Sequence, residues 1–494
     1  MSFADDETIV PLKPQNLLFL LSDQHSRKAL GCSGHALVRT PNLDRLAARG
    51  TRFRNAYCNS PICVPSRASL ATGRYVFDIG YWDNARPYEG SAPSWGHRLA
   101  HHGHRVESIG KLHFRSTADP TGFAQQHLPM HVVGGAGDLL GSLRDGTAML
   151  AKYRGYHENA GPGESTYTAY DRKITTAAVD WLGNQAPRYQ DRPWVLFASL
   201  VCPHPPLLAP EAFYALYPPD RMPWPTDHDP GRRPEHPALG DLRRFMGIDE
   251  PFSEDVVRRS ISAYFGLCSF LDDNLGQILD ALEASGLADT TRVIYSSDHG
   301  ESNGNQGLWG KSNMYEDSAG VPLIVAGEGV PEGLTVNTPV SLVDVYPSVL
   351  DCVGLERLDD DRHLPGRSLF DLAAGADPER LVFGEFHAAA SNTGIFMVRR
   401  GDMKYVHYVG YPPQLFDLAE DPEETADLAA DPAYDQVRED LDRALREIVD
   451  PEAVDARAKA DQAARIAAAG GRRAILEKGS FGYTPAPGEA AVYR

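Results

Sequence analysis

Short apolar runs that alternate with helical segments are the feature that most restricts how this chain of 494 residues can fold. The runs that we predict as strands cover residues 16–22, 105–109, 194–200, 292–296 and 322–326. The segments between them are amphipathic, and residues 254–284 show the clearest helical spacing of apolar side chains. Because strands that alternate with helices are typical of α/β proteins, we expect a doubly wound, mostly parallel sheet with helices on both faces.

The pattern changes after residue 372. Residues 395–399, 404–409 and 414–418 read as short alternating strands, and residues 433–449 read as a helix. We therefore predict an α/β domain over residues 1–372 and a smaller C-terminal α+β subdomain with an antiparallel sheet over residues 373–450. Residues 451–494 form a tail that we interpret as a frayed terminus or an oligomerisation arm. Residues 115–168 are rich in glycine and read as a long loop.

Composition excludes several classes of protein. An apolar fraction of 42% and a charged fraction of 23% are those of a soluble globular chain. A formal net charge of −19 argues against binding nucleic acid, because a phosphate backbone requires clustered Lys and Arg. The polar N-terminus lacks the pattern of a signal peptide or membrane span, so we expect a cytoplasmic protein without a membrane partner. The six cysteines have no CxxC spacing, which suggests neither a disulfide framework nor a zinc site.

Chemically useful side chains follow four of the predicted strands. They are Asp23 with Gln24, Lys111 with His113, His204, and Asp298 with His299. Each alone has an ordinary explanation as a cap or a solvated charge. In a parallel sheet, however, the carboxyl ends of the strands line one crevice, where ligands bind. We therefore expect these residues to lie together.

The segment 59–73 adds a distinctive motif. Pro65 suits the first turn of a helix and Gly73 suits its end, so Cys63 is expected at the helix N-terminus. Backbone N–H groups and the helix dipole favour an anion there, and Arg67 adds a guanidinium that can bind a tetrahedral oxyanion. The alternative interpretation is that Cys63 is a buried free cysteine beside a helix cap, without a role in binding an anion.

This motif resembles the signature of the type I sulfatases, which belong to the alkaline phosphatase superfamily. The matching residues are Cys63, Pro65, Ser66, Arg67, Leu70, Thr72 and Gly73. The resemblance implies that Cys63 is converted to formylglycine by a maturation enzyme. It also implies a sulfate monoester as small-molecule substrate and a divalent cation as cofactor.

Carried over by motif, the resemblance implies metal ligands after the first strand and in the Asp-His-Gly segment. These ligands are Asp23, Gln24, Asp298 and His299, with the residue derived from Cys63 also touching the metal. Gln24 and His299 depart from the commoner acidic and amide residues and resemble choline-sulfatase-like enzymes and phosphonate monoester hydrolases. Oxygen ligands suit calcium and an imidazole favours manganese, so both metals stay open.

The resemblance also implies roles around the substrate. Lys111 and His113 match a pair that contacts the formylglycine and the sulfate, with His113 as the candidate base that lets sulfate leave. His204 and Lys311 match a pair near the leaving group, and Asn84 matches a substrate-contacting asparagine. The alcohol is not specified. Aromatic residues in the loop, above all Trp82, could bind a cationic head group or an aromatic ring, and Glu385 could supply a carboxylate to a cation.

Three hypotheses remain open. The leading one is a sulfate monoester hydrolase, and the second is a phosphonate monoester or phosphodiester hydrolase with the same site. Retention of both Lys111 and His113 favours sulfate, because the phosphonate hydrolases that the chain resembles tend to have uncharged residues there. The third is a catalytically silent protein that binds an anion. We also expect a homo-oligomer, either a dimer or a tetramer.

Overall fold

The computed structural model describes residues 12–144 and 152–493. The strands are β1 (Asn16–Asp23), β2 (Gly50–Phe53), β3 (Ala56–Tyr57), β4 (Arg105–Lys111), β5 (Gln125–Met130), β6 (Gly161–Pro162), β7 (Trp194–Pro203), β8 (Leu208–Ala209), β9 (Thr291–Ser297), β10 (Leu323–Ala326), β11 (Leu334–Val336), β12 (Val340–Ser341), β13 (Leu381–Phe386), β14 (Ile395–Arg400), β15 (Met403–Tyr408) and β16 (Gln414–Asp417). The helices are α1 (Pro41–Ala48), α2 (Cys63–Thr72), α3 (Val76–Ile79), α4 (Trp95–His101), α5 (Lys152–Glu158), α6 (Thr166–Asn184), α7 (Glu211–Tyr214), α8 (Pro237–Met246), α9 (Glu254–Ala284), α10 (Glu316–Ala319), α11 (Val345–Val353), α12 (Leu369–Ala374), α13 (Asp435–Ile448), α14 (Pro451–Ala468) and α15 (Gly471–Lys478).

The main sheet has eight strands in the order β11-β2-β10-β9-β1-β7-β4-β5. Seven strands run in one direction, and β10 runs antiparallel to both of its neighbours. The predicted α/β fold with a mostly parallel sheet is therefore confirmed. The helix predicted over residues 254–284 is α9, with the same limits.

Helices cover both faces of this sheet because the central strands bury side chains on both sides. In β1, Leu18 and Leu20 belong to a core shared with α6 and α9. The alternate residues Leu17, Phe19 and Leu21 belong to a second core shared with α2, α4 and α11. The strict alternation of a β-strand thus directs one continuous apolar run into two cores.

The C-terminal sheet is an antiparallel meander in the order β13-β14-β15-β16. Its apolar face packs on α13 through side chains that include Phe396 and Leu445. The sheet was predicted from three of its strands, and β13 was missed. Five of the six β13 residues are buried, as in β14, but Gly384 and Glu385 interrupt the apolar run of β13.

The edge strand β5 was also missed, because it lies inside the predicted long loop of residues 115–168. Its sequence is polar and includes Pro129, and most of its residues are at least partly exposed. A strand of this kind is tolerated at a sheet edge, but it carries no apolar periodicity. Residues 145–151 of the predicted loop lie outside the described residues.

The tail is not a frayed terminus. After α13 the chain forms α14 and α15, and residues from both helices and from the segment beyond them pack on the body. Gln462 of α14 donates hydrogen bonds to Asp83 at 2.9 Å and to the backbone oxygen of His387 at 2.7 Å. A role in oligomerisation stays a prediction, as do the domain limits.

None of the helices in residues 12–144 and 152–493 combines the length and apolar character that a membrane span needs. The expectation that no signal peptide is present concerns mainly residues 1–11, which lie outside the described residues. Cellular location therefore stays a prediction.

Candidate active site

Helix α2 places Cys63 at its first position, beneath the carboxyl end of the sheet. Every residue of the helix is buried, and Gly73 ends it in the left-handed region with φ 66°. A side chain at Gly73 would collide with the ring of Tyr346, so both its conformation and its surroundings require glycine. The Val64 N–H donates to Asn84 Oδ1 at 3.0 Å, which satisfies one of the free N–H groups of the helix N-terminus.

Arg67, one turn further along α2, holds the two carboxylates that follow β1 and β9. Its Nε donates to Asp298 Oδ2 at 2.7 Å, and its Nη2 donates to Asp23 Oδ2 at 3.2 Å. Lys111 Nζ, at the end of β4, lies 2.5 Å from the same oxygen of Asp23. Burial opposes the charge on Asp23, but Lys111, His204, Lys311 and Arg67 outweigh it and hold the pKa of Asp23 well below its ordinary value.

Four potential metal ligands converge on the opposite side of these carboxylates. Donor atoms of Asp23, Cys63, Asp298 and His299 all lie within 4.8 Å of one another, and all four residues are buried. His299 Nε2 is 3.7 Å from Asp23 Oδ1, 3.5 Å from Asp298 Oδ1 and 3.3 Å from Cys63 Sγ.

The chemistry of this donor set fits a divalent cation. Each carboxylate has one oxygen engaged by a cationic side chain, and its other oxygen, Oδ1, faces the cluster. His299 Nδ1 lies 3.1 Å from the Gly300 carbonyl, which fixes the proton on that nitrogen and leaves Nε2 as the electron-pair donor. Burial lowers the pKa of His299 to about 4, so the ring is neutral as a ligand must be.

Gln24 and Lys311 occupy the edge of this cluster. Lys311 Nζ donates to Gln24 Oε1 at 2.8 Å and lies 3.1 Å from Cys63 Sγ. The Gln24 amide nitrogen in turn donates to Glu301. Glu301 was missed by the sequence reasoning, although it stands directly after the Asp298-His299-Gly300 segment; its carboxylate also accepts from the backbone of Gly310 and Asn303.

Both predicted histidines outside the metal cluster line the pocket above Cys63. Burial, followed by the nearby positive charge of Lys111 and Arg67, lowers the pKa of His113 well below its ordinary value. Burial and then the charge of Lys311 lower the pKa of His204. These shifts favour the neutral form of both rings.

The pocket is a cavity of about 150 Å³, and it opens from Cys63 toward aromatic side chains. The aromatic residues that line it are Tyr153, Tyr156, Tyr167, Phe245, Phe481 and Tyr483. None of these was predicted as a site residue, because they come from segments far apart in the chain. Phe481 and Tyr483 belong to the tail. The signal that could have identified them is the occurrence of two aromatic residues close together in a Gly/Pro-rich segment.

Trp82 and Glu385 were predicted to contact the substrate, and this prediction is wrong because both lie away from the pocket. Trp82 is fully buried in the core beside the C-terminal sheet, where its Nε1 donates to Asp461 at 2.8 Å. Glu385 is buried in β13, where it accepts from the Phe77 N–H at 2.9 Å and lies 2.8 Å from His387 Nε2. Neither residue lines the pocket. Trp82 follows the Cys63 motif closely in the sequence, but this did not predict contact with the substrate, because the C-terminal subdomain covers the loop that contains Trp82.

Comparison with known proteins agrees with this arrangement. Residues 15–355 match the family model described as Sulfatase. This match covers most of the chain and includes Cys63, Arg67, the potential metal ligands, and the lysines and histidines that line the pocket. The chain belongs to the sulfatase family. Residues 304–450 of this sulfatase-family hydrolase also match the model described as N-sulphoglucosamine sulphohydrolase, C-terminal.

Curated relatives cover nearly the whole sulfatase-family chain. The choline-sulfatase of Rhizobium meliloti is 32% identical over 465 residues, which span 91% of this chain and 90% of the relative. The human arylsulfatase K is 29% identical over 465 residues, which span 88% of this chain and 82% of the relative. Among solved structures, the phosphonate monoester hydrolase of Agrobacterium radiobacter aligns with a TM-score of 0.70 at 25% identity, over 88% of this chain and 95% of that one.

Proposed function

We propose that this protein hydrolyses a sulfate monoester to an alcohol and inorganic sulfate, with formylglycine derived from Cys63 as the nucleophile. The observation that carries the proposal is the position of Cys63. It begins a buried helix, lies against the donor atoms of Asp23, Asp298 and His299, and faces a pocket that also contains Lys111 and Lys311. The sulfatase-family relatives support the same reaction class.

Asp23, Asp298 and His299 would hold the divalent cation, together with the residue at position 63. A cation bound there supplies Lewis acidity and offsets negative charge on the oxygen atoms that it contacts. Gln24 is a candidate further ligand through Oε1, the atom that Lys311 now engages. The carboxylates and the imidazole are compatible with calcium or manganese.

The hydrated aldehyde supplies two hydroxyl groups on one carbon, of which one attacks the sulfur and the other allows sulfate to be expelled. Side chains of the protein position the reacting groups and stabilise their charge. Arg67 fixes both carboxylates, and Lys111 and Lys311 place positive charge where the sulfuryl oxygens gain negative charge. His113, which is neutral, accepts the proton of the second hydroxyl, while His204 and Lys311 assist the departing alcohol.

The lining of the outer pocket supports an alcohol with an aromatic ring or a quaternary ammonium group. Six aromatic side chains and Met246 line this region, and aromatic faces attract both kinds of group. Aryl sulfates and choline sulfate are therefore the substrates to test first. The names of the relatives, arylsulfatase K and choline-sulfatase, agree with both.

A phosphonate monoester or phosphodiester hydrolase is the second candidate. The fold similarity to the Agrobacterium phosphonate monoester hydrolase favours it. A phosphorus centre with one blocked oxygen has the same tetrahedral shape and single negative charge as a sulfate monoester. The presence of Lys111 and His113 in the pocket favours the sulfate ester instead.

The test is a substrate panel on protein matured in its native host, with protein carrying Cys63→Ala as the control. The panel contains an aryl sulfate, choline sulfate, a phenyl phosphonate ester and a phosphodiester. The proposal expects the highest kcat/KM for a sulfate monoester and no turnover in the control. Preference for the phosphonate ester supports the second candidate, and sulfate binding without turnover of any ester supports a silent anion-binding protein.

A further inference from the structure

The C-terminal tail returns to the pocket after α15. We define the tail segment as residues 480–484, which follow Gly479 at the end of α15. Its first residue, Ser480, donates from its hydroxyl to Asp138 and accepts from the Gly482 N–H at 2.9 Å. Phe481, Gly482, Tyr483 and Thr484 then line the cavity above Cys63.

Two tyrosines of the body hold this segment in place. The ring of Tyr483 contacts the rings of Tyr167 and Tyr156 edge-on or tilted, with centroids 5.2 Å and 5.9 Å apart. The Tyr167 hydroxyl also donates to the backbone oxygen of Thr484 at 2.6 Å. Ring contacts and a partly buried hydrogen bond together fix both the side chains and the backbone of the segment.

Thr484 contacts one of the residues that perform the proposed chemistry. Its Oγ1 lies 3.0 Å from His113 Nε2. The other ring nitrogen, Nδ1, is buried and has no hydrogen-bond partner among residues 12–144 and 152–493. His113 itself has a left-handed backbone with φ 55°, held by its N–H donating to the Met130 oxygen at 2.9 Å. The backbone is thus fixed by β5, and the rotation of the ring is fixed by Thr484.

We propose that the tail segment completes the active site, with Thr484 as a positioning residue for His113 and with Phe481 and Tyr483 as the wall that contacts the leaving alcohol. This inference rests on the proposed sulfate ester hydrolysis and assigns it two further determinants. Thr484 acts on the reacting centre, which all substrates share. The wall acts on the alcohol, which differs between substrates.

These two roles predict different kinetic signatures. A ring that loses its partner rotates away from its productive orientation, which slows the expulsion of sulfate, so kcat falls for every ester and KM falls with it. Loss of a wall side chain removes contact with the alcohol, which raises KM for aryl and quaternary ammonium esters more than for a small alkyl sulfate.

The experiment uses full-length protein matured in its host. Thr484→Val replaces the hydroxyl with a methyl group of similar size, Thr484→Ser keeps the hydroxyl, and Thr176→Val removes an exposed threonine hydroxyl of α6 as the matched control. Thr484→Val is expected to lower kcat at least about tenfold on all esters, since small errors of position cost up to about a hundredfold. Thr484→Ser is expected to restore most of this loss, and the control is expected to match the parent.

The wall is tested with Tyr483→Ala in two assays. In turnover, KM for an aryl sulfate is expected to rise at least about fivefold, against less than about twofold for ethyl sulfate. The second assay uses unconverted protein and does not depend on catalytic activity. Iodoacetamide is expected to alkylate Cys63 several-fold faster in Tyr483→Ala than in the unconverted parent.

The outcomes separate the inference from the proposed function. If the parent hydrolyses sulfate esters but Thr484→Val has parental kcat, or Thr484→Ser is as impaired as Thr484→Val, Thr484 does not position His113. If Tyr483→Ala leaves both KM and the alkylation rate unchanged, the wall assignment is overturned. A parent that hydrolyses no sulfate ester would instead overturn the proposed function, and the alkylation assay would still decide whether the tail covers the pocket.

Discussion

The ammonium nitrogen of Lys311 lies 3.1 Å from the sulfur of Cys63. Burial and Asp23 oppose ionisation of the thiol, but Lys311 and Lys111 outweigh them, so the pKa of Cys63 is lower than usual. Burial also opposes the charge on Lys311, yet Cys63, Asp23 and Asp298 raise the pKa of its ammonium above the ordinary value. Cys63 therefore lies beside a positively charged ammonium group.

Replacing this charge should impair turnover directly. Lys311→Met keeps most of the side-chain length and removes the ammonium, and we expect kcat/KM to fall by about a hundredfold or more, as when other preorganised charges are removed. The loss should grow as the alcohol becomes a poorer leaving group. Measuring a series of aryl sulfates tests this, with exposed Lys173→Met on α6 as the control. An equal loss of kcat/KM for all aryl sulfates in the series would show that Lys311 does not assist the departure of the alcohol.

Asp298→Asn should weaken metal binding and activity together. The amide cannot supply the charge of the hard carboxylate ligand, and it also leaves Arg67 without its 2.7 Å partner. Metal content by elemental analysis and kcat/KM should fall together, while the exposed Asp273→Asn on α9 should retain both. Full metal occupancy with unchanged turnover would exclude Asp298 from the site.

The residues after the strands could be predicted because two local signals coincide there. A buried apolar run that ends in Asp23 or Asp298 identifies both the strand and the edge of the sheet. Parallel pairing of β1 with β7 and β9 then brings those ends together. These signals predicted that Asp23 and Asp298 lie together, and the resemblance of the motif to the type I sulfatases implied that Cys63 lies beside them.

The outer part of the pocket could not be predicted in the same way. Tyr156, Tyr167 and Tyr483 meet through packing between α5, α6 and the tail, which no local pattern records. The error at Trp82 has the same origin. Its loop is polar and aromatic, as a binding loop often is, but α14 covers it and supplies Asp461 as the partner of the indole.

Lys111→Ala should harm sulfate monoesters more than phosphodiesters. The Lys111 ammonium lies 2.5 Å from Asp23 and also lines the pocket, so it is placed to stabilise charge on the oxygens of the reacting group. That benefit depends on how negative charge is distributed over those oxygens. The ratio of kcat/KM for the two substrate classes measures it. Equal losses would mean that Lys111 orients the nucleophile without selecting the substrate.

Glu385 should affect stability and not substrate binding. Burial, opposed by the Phe77 N–H and reinforced by Asp78, raises the pKa of Glu385 to about 8. Because the folded state then retains a proton that the unfolded state has lost, stability contributed by this group is present below the ordinary carboxyl pKa and is lost as the pH rises toward 8.

Glu385→Gln mimics the protonated acid and removes that titration. Relative to the parent, we expect the variant to gain stability as the pH rises from 5 to 8, by at most about 1.4 kcal/mol per pH unit, with KM within about twofold of the parental value. Urea unfolding at several pH values and steady-state kinetics provide the two measurements. A rise in KM that is confined to a cationic substrate would indicate that Glu385 does contribute to substrate binding.

The proposed mechanism requires an aldehyde at position 63. A thiolate could attack sulfur, but it has no second hydroxyl through which to release sulfate, so unconverted protein should turn over almost no substrate. Cys63→Ala should likewise be inactive, while the fold and most of the bound metal remain because Asp23, Asp298 and His299 are unchanged.

Mass spectrometry of the tryptic peptide 55–67 distinguishes an aldehyde from a thiol at position 63, and the same peptide contains a second cysteine, Cys58, as an internal control. In protein from a competent host, fragment ions should place the loss of H₂S and the gain of one oxygen on Cys63 and not on Cys58. Across preparations, activity should be proportional to the converted fraction. Full activity in protein whose Cys63 is entirely a thiol would exclude formylglycine as the nucleophile and favour a metal-activated water.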